Sequence, residues 1–261
     1  MSSDNNSSDR SSGELRSSIE PKSGWIAGVT FESKRVTFSE INGKAIFEGD
    51  ILLGTVEELQ NSKETSPAGL GIHGRQYRWP NKTVPYTIEA GFSNPNRVTD
   101  AMKIWQDRLG FRFVKRTDEA DYVAFTAGND GCHSRIGRVG RQQITNLQPN
   151  ACTTGNAIHE IGHVLGLWHE QSRHDRDQYI KINWQNINPQ ARHNFDQQIT
   201  DGDDIGPYDY GSIMHYPATA FSINGQPTIV RLKPGPEHMG QRDGLSNGDI
   251  AAVKQMYQLG G

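Results

Sequence analysis

The sequence has no long hydrophobic run. None of its apolar stretches approaches the roughly 20 residues that a helix needs to span a bilayer. Its opening segment, MSSDNNSSDRSSGELRSS, also lacks the apolar core of a secretory signal, so we expect no membrane anchor. A basic stripe is missing as well, because the net charge is -3 with both signs interspersed. We therefore expect no nucleic-acid partner.

Cysteine is scarce, since Cys132 and Cys152 are the only two among 261 residues. Neither lies in a short CxxC pair, which disfavours a zinc site built from cysteines. They flank a segment of strand-like pieces and glycine-rich turns, for which one disulfide in an exported protein is the economical interpretation. Two unpaired thiols in a reducing compartment remain the alternative.

The N-terminal quarter has the composition of a leader, a small β unit and a linker. Residues up to about Arg16 are rich in Ser, Asn and Asp, which predicts disorder. Runs with β character follow at 25–38 and 44–53, separated by Asn42-Gly43, a dipeptide typical of tight hairpin turns. Residues 61–74 show neither the periodicity of a helix nor that of a strand, and they contain three glycines. This composition predicts a protease-accessible linker. We place a domain boundary near Leu70.

Beyond the linker the pattern predicts a sheet packed against helices. Strands are expected at 84–88, 111–114, 122–126 and 142–147. Asn94 and Pro95 open a helix, whose apolar face would consist of Val98, Ala101, Met102, Trp105 and Leu109. A second helix is expected at 154–167. Ser246 and Asp249 form a capping box for a final helix.

The second helix carries a metal-binding pattern, HEIGHVLGLWH. His159 and His163, four residues apart on one helical face, can bind one metal ion, and Glu160 points into the same site. His169 could not share that face in a continuous helix, so the chain must turn at Gly166. An amphipathic helix with uninvolved histidines would not explain this glycine and third histidine. Three neutral nitrogen ligands with an open fourth position are typical of catalytic zinc.

This pattern, followed downstream by the Met-turn SIMHY at residues 212–216, is the metzincin signature. The continuation HEQSRHDRD, from His169 to Asp177, resembles the HExxRxDRD extension of the astacin family of zinc endopeptidases. The likeness extends to Arg112-Phe113-Val114 and to the two cysteines, which match one of the family's two disulfides. It covers the chain from about Tyr77 to Tyr257.

The resemblance implies roles for individual residues. The three histidines would bind one zinc ion per chain, and Glu160 would be the general base. Tyr216 would match the family's tyrosine that ligates zinc at rest and swings to hydrogen-bond the oxyanion. Met214 would pack beneath the metal, and Glu170 would receive the new N-terminus after activation.

The segment before the linker contains Phe47-Glu48-Gly49-Asp50, which resembles the FxGD motif of astacin pro-segments. The resemblance implies that Asp50 ligates zinc in a latent form and occupies the position of the catalytic water. A carboxylate oxygen is a competent zinc ligand, so such a block is chemically sound. The alternative is an ordinary hairpin turn.

Two features depart from the family. Its other disulfide is absent, because Gly110 stands where one partner is expected and residues 256–261 contain no cysteine. No signal peptide is visible, so we expect either that one has been trimmed from this sequence or that the protein is exported by a specialised route, for instance as a bacterial effector.

The sequence therefore predicts a mixed α/β metzincin-like fold with two lobes around an active-site cleft. An N-terminal twisted sheet and the zinc helix would face an irregular C-terminal lobe with a terminal helix. Residues 1–69 would form a leader and inhibitory pro-segment, and residues 70–261 the catalytic domain, which we expect to be monomeric and to cut proteins or peptides. The alternatives are a zinc-bearing peptide-binding module and a matrixin-like protease silenced by a pro-segment cysteine.

Overall fold

The fold is organised around a ten-stranded mixed sheet that includes strands from both predicted units. The computed structural model describes residues 14–27, 34–61, 68–69, 75–197, 203–235 and 237–258. In these ranges the strands are β1 Lys22–Ala27, β2 Lys34–Ile41, β3 Lys44–Phe47, β4 Ile51–Thr55, β5 Ala68–Gly69, β6 Thr83–Ile88, β7 Arg112–Lys115, β8 Tyr122–Thr126, β9 Cys132–Ser134, β10 Gln142–Leu147, β11 Ile180–Ile182 and β12 Ile229–Arg231. The α-helices are α1 Val56–Asn61, α2 Asn96–Leu109, α3 Thr154–Leu165 and α4 Asn247–Met256.

The large sheet has the strand order β5-β1-β2-β3-β4-β9-β10-β8-β6-β7. Its first five strands belong to the N-terminal unit and its last five to the second unit. The two groups meet where β4 lies parallel to β9, with Ile51 opposite Ser134. The N-terminal unit therefore covers an edge of the sheet of the second unit. Strands β11 and β12 form a separate antiparallel pair in the C-terminal lobe.

The predicted hairpin is present, with a break that the sequence did not indicate. Asn42 and Gly43 both have positive φ, of 50° and 75°, and join β2 to β3. The single β run expected at 44–53 is divided into β3 and β4 by a turn in which Glu48 and Gly49 have φ values of 44° and 77°. This turn carries Glu48 and Asp50 away from the strand path and into the interior, where both are fully buried.

The expectation of disorder up to Arg16 is wrong for the last residues of the leader. Glu14 and Leu15 are buried, and the Arg16 amide donates a hydrogen bond to the Gly49 carbonyl at 2.9 Å. Leu15 supplies the reason, because its side chain joins the apolar cluster that contains Phe221. Residues 1–13 lie outside the described ranges, as does most of the predicted linker, of which 68–69 form β5.

Helices α2 and α3 pack together beneath the sheet. The predicted apolar face of α2 is buried, and the Trp105 indole donates to the Ile158 carbonyl at 3.1 Å. Thr153 and Asn156 form a capping box at the start of α3. The helix ends at Leu165, two residues before the predicted end, because Gly166 has a φ of 107° and redirects the chain.

The final helix begins with the predicted capping box of Ser246 and Asp249. The Asp249 carboxylate also accepts hydrogen bonds from the Ser212 hydroxyl at 2.6 Å and the Ile213 amide at 3.0 Å. One carboxylate thus caps α4 and holds the SIMHY turn. Within the described ranges, no helix combines the length and apolar character that crossing a bilayer requires.

The expected disulfide between Cys132 and Cys152 is formed, and it closes a loop with a sequence separation of 20 residues. Because both sulfurs are engaged, neither cysteine can act as the inhibitory thiolate of a matrixin-like enzyme.

Removing this disulfide should lower the stability of the chain. A cross-link over a loop of this length reduces the entropy of the unfolded state, so Cys132→Ser/Cys152→Ser should lose about 3 kcal/mol of unfolding free energy. Urea denaturation measures the change. Wild-type chain in reducing buffer is the matched control and should behave like the variant; equal stability of the oxidised wild type and the variant would contradict the prediction.

Candidate active site

Three histidine side chains meet below the sheet. Helix α3 presents His159 and His163 one turn apart, and the reversal at Gly166 returns the chain so that His169 faces them. Each Nδ1 donates a hydrogen bond: His159 to the Ile213 carbonyl at 2.7 Å, and His163 to the Leu167 carbonyl at 2.8 Å. The His169 Nδ1 lies 2.7 Å from the Glu48 carboxylate. With the protons on Nδ1, the three Nε2 lone pairs point at one another.

Asp50 completes this group. Its carboxylate oxygens lie 3.2 Å from the Nε2 of His159, 3.5 Å from that of His163 and 3.0 Å from that of His169. One ligand atom from each of the four residues lies within 4.8 Å of the others, and all four side chains are buried. The structure thus brings together the four residues that the sequence predicted as ligands, although Asp50 and His159 are 109 positions apart in the chain.

The group fits a zinc ion. Four ligands at about 2.05 Å from a tetrahedral zinc are about 3.4 Å apart, and the measured distances from Asp50 to the histidines are 3.0 to 3.5 Å. Within the described residues, the His163 Nε2 and one Asp50 oxygen have no hydrogen-bond partner although both are buried. Three converging imidazole nitrogens and one carboxylate, all buried, form a donor set that a zinc ion would satisfy.

Glu160 lies on the same helix, next to His159, and is fully buried. Neither of its carboxylate oxygens has a hydrogen-bond partner among the described residues. Burial, and then the neighbouring Asp50 carboxylate, raise the pKa of Glu160 well above its ordinary value. A carboxylate so poorly solvated is a strong base, as the predicted role requires.

Tyr216 is also fully buried, and its hydroxyl donates a short hydrogen bond to the Glu48 carbonyl. Its backbone amide is held by Gln171 at 3.1 Å. The phenol therefore donates to a peptide carbonyl of the N-terminal unit close to the ligand group.

Met214 and Glu170 occupy supporting positions. The Met214 sulfur packs so closely against Gly162 of α3 that a Cβ on this glycine would lie 2.6 Å from it. The Glu170 carboxylate accepts a hydrogen bond from the Asp209 amide at 2.7 Å and lies 3.5 Å from the Arg173 guanidinium. Burial raises the pKa of Glu170 to about 8.

Sequence reasoning missed two acidic contacts of the N-terminal unit. Glu48, quoted only as part of the FxGD pattern, bonds to the ring of His169. Glu14, placed in the disordered leader, is bound by the Arg242 Nε at 2.7 Å, and Arg242 also donates to the Ile213 carbonyl at 2.9 Å. No sequence pattern indicated a contact for Glu14. For Glu48, its position between Phe47 and Asp50 in the FEGD segment was the one available signal.

Comparison with known proteins places this arrangement in a family. The family model described as Astacin, a family of peptidases, matches residues 71–258. The chain belongs to the astacin family. High choriolytic enzyme 2 of Oryzias latipes is 41% identical over 237 residues, covering 88% of this chain and 81% of that protein. Zinc metalloproteinase nas-13 of Caenorhabditis elegans is 38% identical over 225 residues, covering 81% of this chain and 50% of that protein.

Solved structures agree with the fold. High choriolytic enzyme 1, a hatching enzyme zinc-protease from Oryzias latipes, superimposes with a TM-score of 0.64 and 37% identity. The match covers 69% of this chain and 92% of that structure. Myroilysin matches with a TM-score of 0.52 at 21% identity, which supports the fold alone. The predicted mixed α/β metzincin-like fold is confirmed, and the chain is an astacin-family zinc metalloproteinase.

Proposed function

We propose that the chain is the latent form of a zinc endopeptidase, in which residues 1–69 block the catalytic unit formed by residues 70–261. The observation that carries the proposal is the Asp50 carboxylate, buried in contact with the Nε2 atoms of all three histidines. A fourth ligand from the protein fills the position that an attacking water would need. The contacts of Glu14 with Arg242 and of Glu48 with His169 hold the same unit in place.

In the open enzyme, His159, His163 and His169 would hold zinc, whose Lewis acidity polarises a carbonyl and acidifies water. Glu160 would take a proton from the attacking water and pass it to the leaving amine nitrogen. The Tyr216 hydroxyl, freed from the Glu48 carbonyl, would donate a hydrogen bond to the developing oxyanion. No covalent bond forms between the protein and the substrate.

Glu170 would stabilise the activated form. Its carboxylate is 15% exposed, accepts a hydrogen bond from the Asp209 amide and lies near the Arg173 guanidinium. The amino group released by cleavage near Leu70 would supply a further positive partner. The disulfide also supports export from the cell, because such bonds persist in oxidising compartments. We infer that the active protein is a secreted or exported monomer.

Limited proteolysis tests the proposal. Trypsin has target sites at Lys63, inside the linker, and at Arg75, directly after it, and trypsin can afterwards be silenced by a serine-protease inhibitor. Before trypsin, the full chain should contain one zinc ion and cut few members of a quenched fluorescent peptide library; after trypsin it should cut many. A zinc chelator should abolish this cleavage, and added zinc should restore it.

The matched control is Glu160→Ala treated in the same way, which excludes residual trypsin as the source of cleavage. A wild-type chain that keeps zinc after trypsin and cuts no peptide would overturn the proposal in favour of the peptide-binding module.

A further inference from the structure

A lysine of the N-terminal unit is inserted into a polar pocket of the catalytic unit. Lys44, the first residue of β3, forms an ion pair with Asp130, and its Nζ lies 3.4 Å from the Nε2 of His133. We call the site formed by these two residues the Asp130–His133 pocket. It is separate from the histidine group, and no role was predicted for it from the sequence.

The pocket is buried and incompletely satisfied. The side chains of Asp130 and His133 are only 4% and 1% exposed, whereas that of Lys44 is 26% exposed. Among the described residues, the second Asp130 oxygen and the His133 Nδ1 have no hydrogen-bond partner. The pocket therefore has more hydrogen-bonding atoms than the single Lys44 ammonium group contacts.

The charges of the pocket favour a cation. Burial alone would raise the pKa of Asp130, but hydrogen bonds with His133 and Lys44 lower it, so the carboxylate is ionised. Burial lowers the pKa of His133, which keeps the ring neutral, and its Nε2 lies 3.4 Å from the Asp130 carboxylate. The pocket thus has one negative charge, on Asp130, and no positive charge on His133 to oppose a cation.

The pocket borders the cleft. His133 lies in β9, and the next residue, Ser134, donates its amide to the Asp50 carbonyl at 3.1 Å and its hydroxyl to the Glu160 carbonyl at 3.0 Å. Strand β9 pairs with β10 on one side and with β4 of the N-terminal unit on the other. Departure of that unit would leave β9 as an edge strand beside Glu160, and an extended peptide can pair with such an edge.

Departure of Lys44 would leave the Asp130 carboxylate without the ammonium group that pairs with it in the latent chain. A basic side chain from another occupant of the cleft can form the same charge-assisted hydrogen bond to this carboxylate. We propose, on the basis of the function above, that the Asp130–His133 pocket is a substrate subsite for a lysine or arginine side chain, and that Lys44 occupies it in the latent chain.

Cleavage-site profiling tests the subsite. The trypsin-activated, inhibitor-treated chain is incubated with a peptide library, and the cut positions are read by mass spectrometry. One fixed position relative to the cut should be enriched in Lys and Arg. Peptides that differ only there, Lys against Gln, should differ about tenfold in kcat/KM, because hydrogen bonds to charged groups are the stronger ones.

The variant Asp130→Asn should abolish this preference, so that kcat/KM becomes about the same for the Lys and the Gln peptide. A content of one zinc ion per chain in the variant shows that it folds. The matched control is Asp118→Asn, an exposed aspartate of the same unit, which should keep the preference. Absence of a basic preference in the wild type, or its persistence in Asp130→Asn, would overturn the subsite. Because the Gln peptide is still cut in either case, these results differ from a failure of the proposed peptidase activity.

Binding provides a readout that does not need turnover. In the trypsin-treated Glu160→Ala chain, fluorescence anisotropy should give an about tenfold lower Kd for the labelled Lys peptide than for the Gln peptide. Adding Asp130→Asn should make the two Kd values equal. Equal values already in the Glu160→Ala chain would overturn the subsite even if no peptide were cut.

Discussion

Glu160→Ala is expected to reduce kcat/KM of the trypsin-activated chain by between about 10²- and 10⁴-fold, the usual contribution of a general base. The three histidines remain, so the zinc content should stay at one ion per chain. The reason lies in the site, where the Glu160 carboxylate is buried without a hydrogen-bond partner among the described residues and is therefore available to take a proton. Peptide cleavage and metal analysis on the same sample measure the two quantities.

The comparison with Glu170→Ala makes this test specific. Glu170 is also a glutamate that follows a histidine of the group directly in sequence, but its side chain is 15% exposed and its carboxylate accepts a hydrogen bond from the Asp209 amide. The Glu170→Ala variant should therefore keep a much larger fraction of the wild-type kcat/KM than the Glu160→Ala variant does. A Glu160→Ala chain with zinc and more than about a tenth of the wild-type rate would contradict the assignment of the base.

The second large effect is expected in the uncut chain. Asp50→Ala removes the protein ligand that fills the fourth position, so the full chain without trypsin should cut small peptides at least about tenfold faster than the uncut wild type. The increase should stop short of the trypsin-activated rate. The remaining contacts, Glu48 with His169, Glu14 with Arg242 and Lys44 with Asp130, still hold the N-terminal unit in the cleft.

Glu57→Ala serves as the matched control, because Glu57 is an exposed acidic residue in helix α1 of the same unit and is not one of the four ligands. It should leave the uncut chain as inactive as the wild type. If Asp50→Ala is equally inactive before trypsin but fully active after it, the block does not depend on the carboxylate and the role of Asp50 is wrong.

Local patterns predicted much of the fold. Strands β8 and β10 have the predicted bounds, and the predicted capping box of Ser246 and Asp249 is formed by residues three positions apart. The ligands His159 and His163 share a helical face because of their spacing, and the end of α3 at Gly166 follows from the backbone freedom of glycine. In each case the decisive interaction joins residues within about one helical turn or one strand.

The errors occurred where distant parts of the chain decide the outcome. The composition of the leader gave no sign that Leu15 would be buried in an apolar cluster with Phe221. The continuous β run at 44–53 was broken because the turn at Glu48 and Gly49 delivers Asp50 to the histidines. A positive φ at a residue such as Glu48 is energetically unfavourable, and tertiary packing offsets this cost. Local propensity therefore does not predict this conformation.

The sequence alone thus predicted the family and the group of three histidines, because such a metal site is encoded in residue type and spacing, and it predicted Asp50 as a fourth ligand through the resemblance to the FxGD motif. Only the tertiary structure revealed the partners of Glu14, Glu48 and Lys44. Those contacts join residues that are 228, 121 and 86 positions apart, so they exist only once β4 lies beside β9 and the N-terminal unit covers the cleft. Charges that are unremarkable in the chain become specific partners when burial removes the water that would otherwise solvate them.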